Sequence, residues 1–446
     1  MAENARQAAV EALIRVHREG SYSNIALDSL LNSSRFSAAD RALLSRLFYG
    51  VIERQLTLDY ILSNYSRIKL KKMHPTVLEL LRVGCYQLVY MDKIPASAAV
   101  NESVRLARVM KQERSSGFIN AVLRSVERDR GHWFDRLEEN TDGLSIRTSC
   151  PVWLLSLWQD SYGASMAKKI AESVNEAPPL TLRINTLKIT SDEFYHKLEQ
   201  ANIAFQKIPG LEACATVTDT GALKGLAETM ENCYYHQDAA SQFCCRALEP
   251  KRGERIADVC AAPGGKSLTA AQMMENQGEI FACDIYPAKC ETIEKRARQM
   301  GASIVHTAVR DASSPCPEPL KGRFDRVLCD APCSGLGAIR RKPEIRYKQP
   351  ASFSELPLLQ SEILNRSAQL VRMGGVLQYS TCTLNPAENE EVAKKFLEEH
   401  PEFEPRRLPL EECFAALNTE PTYQITLLPP VHHTDGFYIS SFIKTR

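Results

Sequence analysis

Asp258-Val259-Cys260-Ala261-Ala262-Pro263-Gly264-Gly265-Lys266 stands between the short apolar run Arg255 to Val259 and the helix-patterned stretch Ser267 to Asn276. A β-rich run, a glycine turn and a helix form the opening βα unit of a layered sheet. The alternation then repeats. Glu279 to Asp284, Ser303 to Val309, Phe324 to Asp330 and Gly374 to Ser380 are short, apolar and β-rich, and Ala288 to Met300 is one of the helical stretches between them. These units predict a doubly wound, Rossmann-like α/β domain over residues 236–446, with a parallel sheet covered on both faces. Asp435-Gly436-Phe437-Tyr438 reads as the start of a final strand. Ligands of such sheets sit beyond the carboxyl ends of the strands.

Upstream the pattern changes twice. Residues 141–235 mix helix and strand and read as a small intermediate α+β domain. Within them Leu180, Leu182 and Ile184 alternate with Thr181, Arg183 and Asn185, as in a strand with one apolar and one polar face. Residues 1–140 read as an all-helical bundle. Leu43, Leu44, Leu47, Phe48 and Val51 recur at helical spacing, as do Phe118, Ile119, Val122, Leu123 and Val126.

A chain of 446 residues exceeds one ordinary core. Hydrophobic content of 44% and charged content of 24% are those of a soluble globular protein. Fifty-five Lys and Arg nearly cancel 54 Asp and Glu, so binding to nucleic acid has to rely on local basic patches. The N-terminal residues lack an apolar signal core and no membrane-length stretch is free of charge, which makes a cytoplasmic location without membrane attachment the expectation. The 14 cysteines are then expected to be mostly free, small, buried side chains. There is no pair of Cys-x-x-Cys knuckles and no His-x-x-x-His, so no metal is expected.

The turn Cys260-Ala261-Ala262-Pro263-Gly264-Gly265-Lys266 is neither Gly-x-x-x-x-Gly-Lys-Ser/Thr nor Gly-x-Gly-x-x-Gly. Its glycines admit close approach to the backbone, and the helix that follows offers free N–H groups. S-adenosyl-L-methionine, which carries a carboxylate but no phosphate, suits this smaller turn. Asp284 at the end of the second strand is placed to accept from the two ribose hydroxyls. Asp311, after the third strand, is placed for the adenine amino group, and Asp330 ends the fourth.

Two further turns carry cysteines at strand ends: Asp330-Ala331-Pro332-Cys333-Ser334-Gly335 and Ser380-Thr381-Cys382-Thr383. A cofactor turn with two such thiols points to covalent thiolate chemistry on an electrophilic ring. Cys260, Cys283 and Cys329 lie within or beside apolar strands and read as inert thiols, with the Cys260 backbone lent to the cofactor turn.

Asp258 to Lys266, Asp330 to Gly335 and Thr381-Cys382 together resemble the signature of the RNA 5-methylcytosine methyltransferases, the Nol/Nop/Sun group. The run ending in Gly117-Phe118-Ile119-Asn120-Ala121-Val122-Leu123-Arg124 resembles the NusB-like RNA-binding domain. The resemblance implies an enzyme that methylates C5 of a cytosine in 16S ribosomal RNA, and a monomer is the default expectation. Transfer RNA as substrate and a non-catalytic assembly factor are the alternative readings. It also implies roles. Cys382 is the nucleophile at C6 of the ring, and Cys333 assists product release. Asp330 lies near the target base, with Lys266 holding it or contacting the cofactor carboxylate.

The expected RNA contacts are local. Arg340, Arg341, Lys342 and Arg346 directly follow the Cys333 turn, interleaved with Tyr347. Arg183 and Asn185 on the polar strand face, and Arg67, Lys69, Lys71 and Lys72 in the helical region, are further candidates. A thiolate reaches C6 only if the cytosine is unstacked, so a single-stranded or flipped base is expected.

Overall fold

The computed structural model describes all residues except 1–3, 20–25, 28–29, 32–35, 219–220, 222, 224, 226–228 and 415–421. The chain packs as two compact units, Met1–Asn175 with Arg341–Lys348, and Glu176–Arg340 with Gln349–Arg446.

The first unit is helical. Its helices are Ala5–Glu19, Ala38–Glu53, Gln55–Tyr65, Pro75–Tyr90, Ala96–Val109, Ser116–Arg128, Thr141–Thr148, Val152–Tyr162 and Ala164–Ser173. Packing continues past residue 140, where the sequence pattern changes. Ser116–Arg128 buries Ile119, Val122, Leu123 and Val126, one stripe at helical spacing. Pro75–Tyr90 is buried nearly all round from Val77 to Leu88 and forms the centre of the bundle. The charges it carries inward are paired. Arg82 donates to both oxygens of Asp59 at 2.8 and 2.6 Å and to Glu79 at 2.6 Å, and His17 Nδ1 lies 2.9 Å from Glu79. Burial alone would raise the Glu79 carboxyl, but Arg82 and His17 bring it below the usual carboxylate range.

The second unit holds two sheets. Strands β1 (Leu180–Ile184), β2 (Phe205–Ile208), β3 (Leu211–Val217) and β4 (Tyr234–His236) form an antiparallel sheet in the order β2-β3-β1-β4. The larger sheet contains β5 (Arg255–Asp258), β6 (Glu279–Asp284), β7 (Val305–Val309), β8 (Phe324–Asp330), β9 (Val371–Thr381), β10 (Phe403–Pro405), β11 (Gln424–Leu427) and β12 (Phe437–Lys444). Its order is β10-β12-β9-β8-β5-β6-β7, with β11 on β12. Strands β5 to β9 are parallel, and β12 runs antiparallel to β9.

Successive residues of these strands serve opposite faces. Ile256, Leu328 and Ile439 enter one core, and Ala257, Val327, Cys329 and Tyr438 enter the other. Burial on both faces explains why the central strands read as continuous apolar runs. The strand order reverses at β5, with β6 and β7 to one side and β8 and β9 to the other. Loops leaving β5 and β8 therefore diverge and open a crevice beyond Asp258 and Asp330.

Candidate active site

The turn after β5 is built on its own backbone. The Ala261 N–H donates to Cys283 O and the Gly264 N–H to Ala261 O, both at 2.7 Å. Gly264 has φ +96°, and a side chain there would press on Ile293, so the position requires glycine. Gly264 also caps the helix Gly265–Met273 without a side-chain hydrogen bond. The first-turn N–H groups are thus available to an anionic ligand. Beneath the turn, Ser267 Oγ donates to Asp258 Oδ2 at 2.6 Å, while Asp258 Oδ1 is buried without a partner. Burial, the largest influence, pushes the Asp258 carboxyl up to about 7.

At the end of β6, Asp284 is buried and accepts from the Tyr286 N–H at 3.1 Å, with Lys289 Nζ 3.6 Å away. Ile285 and Tyr286 beside it are large apolar residues left 50% and 58% exposed. Asp311, after β7, accepts from the Ser313 N–H and Oγ at 2.9 and 2.6 Å, and the Ser313 bonds hold its carboxyl below the usual range. The exposed Val309 lies two residues before it.

Asp330 ends β8 in register with Ser380 of β9. Lys266 Nζ donates to its Oδ2 at 2.7 Å and Ser380 Oγ to its Oδ1 at 2.8 Å. Burial alone would lower the Lys266 ammonium. The Asp330 carboxylate outweighs it and raises the group above its ordinary value, so the pair is ionic. The Lys266 ammonium also lies 5.2 Å from the centre of the Phe437 ring.

The two strand-end thiols meet. Cys333 Sγ and Cys382 Sγ are 3.3 Å apart, and both residues are partly exposed. The hydrogen bond to Cys382, followed by burial, holds the Cys333 thiol well above its usual value. Cys283 and Cys329 are buried, and the partly exposed Cys260 is pushed up by burial.

A set of buried polar groups that sequence reasoning missed shapes the two cysteine turns. Glu388 is fully buried, and its carboxylate accepts from the Ser334 N–H at 2.8 Å, Gln360 Nε2 at 2.9 Å and Asn385 Nδ2 at 3.0 Å. Gln360 Nε2 also donates to Pro332 O at 2.9 Å, and Ser334 Oγ lies 2.7 Å from Thr383 Oγ1. Thr381 Oγ1 donates to Asn389, which in turn donates to Thr383 O. The Gly337 N–H donates to Cys382 O, and the Gly436 N–H to Gly337 O, both at 2.9 Å. The pair Asn385-Pro386 is a helix-start signal that could have marked this turn. No sequence signal marks Glu388 and Gln360 as partners.

Three of the cations expected at RNA are instead buried. Arg183 is 6% exposed and its Nε donates to Gln272 at 2.8 Å, because both faces of β1 are covered. Asn185 is likewise buried and donates to Asn232 O and Met300 O. Arg340 donates to Thr434 O and to Asp435, behind the Cys333 turn. Arg346 is fully buried in the helical unit and bonds to the carbonyls of Glu53, Thr148 and Val174 and to Asn175. These side chains are committed to the protein, which corrects the expectation for Arg183, Arg340 and Arg346. Arg341, Lys342, Arg67, Lys69, Lys71 and Lys72 are exposed. Among the described residues, no cluster of His, Cys, Asp or Glu is suited to hold a metal ion, and no helix is long and apolar enough to cross a membrane.

Residues 245–443 match the family model 16S rRNA methyltransferase RsmB/F, residues 3–128 the NusB family, and residues 150–223 the RsmF/B-like ferredoxin-like domain. The chain is 38% identical to a Bacillus subtilis protein described as a probable ribosomal RNA small subunit methyltransferase B, over 99% of both chains. It is 32% identical to the ribosomal RNA small subunit methyltransferase B of Klebsiella pneumoniae, again over 99% of both. The crystal structure of PH0851 superimposes with a TM-score of 0.80 at 25% identity, covering 99% of this chain and 98% of that one.

Proposed function

Since the chain belongs to the ribosomal RNA small subunit methyltransferase B family, we propose that it methylates C5 of a cytosine in 16S ribosomal RNA through a covalent cysteine–C6 adduct. Its cofactor is S-adenosylmethionine, which when bound supplies an electrophilic methyl group. The residues present fit that cofactor. The uncapped start of the helix Gly265–Met273 suits its carboxylate, and Asp284 and Asp311 suit the ribose and the adenine amine. Ile285 and Tyr286 offer apolar surface for the adenine ring.

The observation that carries this reading is the 3.3 Å approach of Cys333 and Cys382 beside the Asp330–Lys266 ion pair. Cytosine C5 is a weak nucleophile. Attack of a Cys382 thiolate forms an S–C6 bond and moves the ring electrons to C5, which then takes the methyl group. A base removes the C5 proton, and breaking the S–C6 bond returns the thiolate. Cys333 is given the release step by the family resemblance, and its 3.3 Å approach to Cys382 Sγ puts it within reach of the adduct. Asp330 receives hydrogens on both oxygens and stays an acceptor. It suits the exocyclic amine or a protonated N3, either of which eases attack at C6.

The test uses purified protein, tritiated S-adenosylmethionine and a 16S ribosomal RNA transcript. Label on cytosine C5 that disappears in Cys382→Ala, together with a covalent RNA adduct accumulating in Cys333→Ala, is expected. An adduct in Cys382→Ala instead would exchange the two roles, and transfer to transfer RNA alone would overturn the substrate.

A further inference from the structure

Residues 388 and 389 are neighbours in the chain, and between them they hold the two cysteine turns. Glu388 Oε2 accepts from the N–H of Ser334, the residue after Cys333, at 2.8 Å and from Gln360 Nε2 at 2.9 Å. Gln360 Nε2 also donates to the carbonyl of Pro332, the residue before Cys333. Asn389 brackets Cys382 in the same way with its own side chain. Thr381 Oγ1 donates to Asn389 Oδ1 at 2.5 Å, and Asn389 Nδ2 donates to Thr383 O at 3.0 Å. Thr381, Thr383 and Asn389 are all fully buried.

The partners decide the orientation of that amide. A backbone carbonyl only accepts, so the group facing Thr383 O is the NH2. The amide oxygen then faces Thr381, whose hydroxyl donates. One planar group therefore grips both chain neighbours of Cys382. The grip acts where the sheet gives out. β9 pairs with β8 as far as Ser380 and with β12 as far as Thr381. Cys382 is the first residue beyond the strand, where pairing no longer sets the direction of a side chain. Asn389 is itself anchored. Its N–H donates to Pro386 O, and its carbonyl accepts from the Ala393 N–H at the start of the helix Glu390–Glu399, both at 3.0 Å. The adjacent Glu388 O accepts from the hydroxyl of Tyr379, within β9, at 2.5 Å. The flanks of Cys382 are thus tied back to the strand that carries it.

We propose that Asn389 is the positioning residue of the nucleophile. By holding Thr381 and Thr383 it fixes where Cys382 Sγ sits for attack at C6. The inference rests on the reaction proposed above.

The test is run in the Cys333→Ala chain, in which RNA adduct is expected to accumulate, so that attack is measured apart from release. Adduct formation with S-adenosylmethionine and a 16S ribosomal RNA transcript is timed and expressed per cofactor-binding site, so that unfolded protein is not counted. In parallel, alkylation of Cys382 by iodoacetamide, which needs no RNA, is followed by mass spectrometry. Adding Asn389→Ala is expected to slow adduct formation by about tenfold or more at saturating RNA, because the sulfur no longer meets C6 squarely. Alkylation should stay within about threefold, since a small reagent accepts many approaches. Thr381→Val removes one of the two bonds and should slow adduct formation by about threefold or more, whereas Thr381→Ser keeps the hydroxyl and should retain the rate. If Asn389→Ala does not fold, the two Thr381 variants decide. Adduct formation within about twofold of the Cys333→Ala chain in the folded variant overturns the proposal. An equal fall in alkylation also overturns it, because the thiol itself would then be altered rather than its placement. A Cys333→Ala chain that forms no adduct would instead overturn the functional reading, so the two failures are separable.

Discussion

At the scale of single residues, Asp258 and Asp330 are two carboxylates at neighbouring strand ends with opposite surroundings. Asp258 has one oxygen on Ser267 and one with no partner, and its burial raises it from 3.8 to about 7. The folded chain thus keeps a proton that the unfolded chain releases near 3.8. The resulting stabilisation is complete below that pH and lost as pH climbs through 7, by up to about 4 kcal/mol. Asp258→Asn is expected to remove this dependence, so wild-type Tm should fall relative to the variant between about pH 4 and 8. Parallel Tm curves would rule out the raised carboxyl. Asp330, by contrast, faces an ammonium and a hydroxyl. Asp330→Asn turns one acceptor oxygen into a donor and leaves Lys266 uncompensated. A loss of about 10²–10⁴ in kcat is expected, read by tritium transfer at saturating RNA. A variant of wild-type rate would take Asp330 out of the reaction. The cysteines and these acids were legible in the sequence, because strand ends, proline and glycine mark the turns that hold them. The burial of Arg346 was not legible. Its acceptors lie 171 to 293 positions away, and a basic run ordinarily reads as solvated.

Among elements, what matters is how closely two loops cross. A Cβ on Gly337 would overlap the Gly436 carbonyl and press on Cys382 O, both backbone groups that cannot swing aside. Gly337→Ala is expected to destabilise by about 1–3 kcal/mol and to depress methyl transfer by shifting Cys382. Denaturant unfolding read beside activity checks both, and a stable, active variant would show that the loops give way. Glu388 does comparable work from a short helical turn, since donors from the Cys333 turn, from the helix Leu356–Ala368 and from its own turn converge on one buried carboxylate. Glu388→Ala leaves those donors unpaired and should lower stability by about 2–4 kcal/mol, with weaker adduct formation. An unchanged unfolding midpoint would refute that role. Strand and helix positions followed from apolar periodicity, with β6 and β8 ending at the expected Asp284 and Asp330 and β5 ending at Asp258, one residue before the expected Val259. The two-faced burial of β1 was missed, because alternation describes one strand and says nothing of what covers its second face.

For the whole molecule, unit and sequence do not coincide, since residues 341–348 complete a body otherwise made of residues 1–175. A fragment of residues 1–175 is expected to melt lower than it does with a peptide spanning residues 341–348 added in trans, because that peptide closes three helix ends. No change in Tm on adding the peptide would mean that the helices close without it. The arrangement also has a consequence in time. On the ribosome, residue 346 is made 171 residues after Asn175 (346 minus 175), a delay on the order of ten to thirty seconds at ordinary elongation rates. Throughout that interval the nascent helical bundle exists with its plug still unsynthesised. The helical unit thus reaches its final form only as the catalytic half is being made, and a chain cut short before Tyr347 yields an unfinished bundle open to chaperones and proteases.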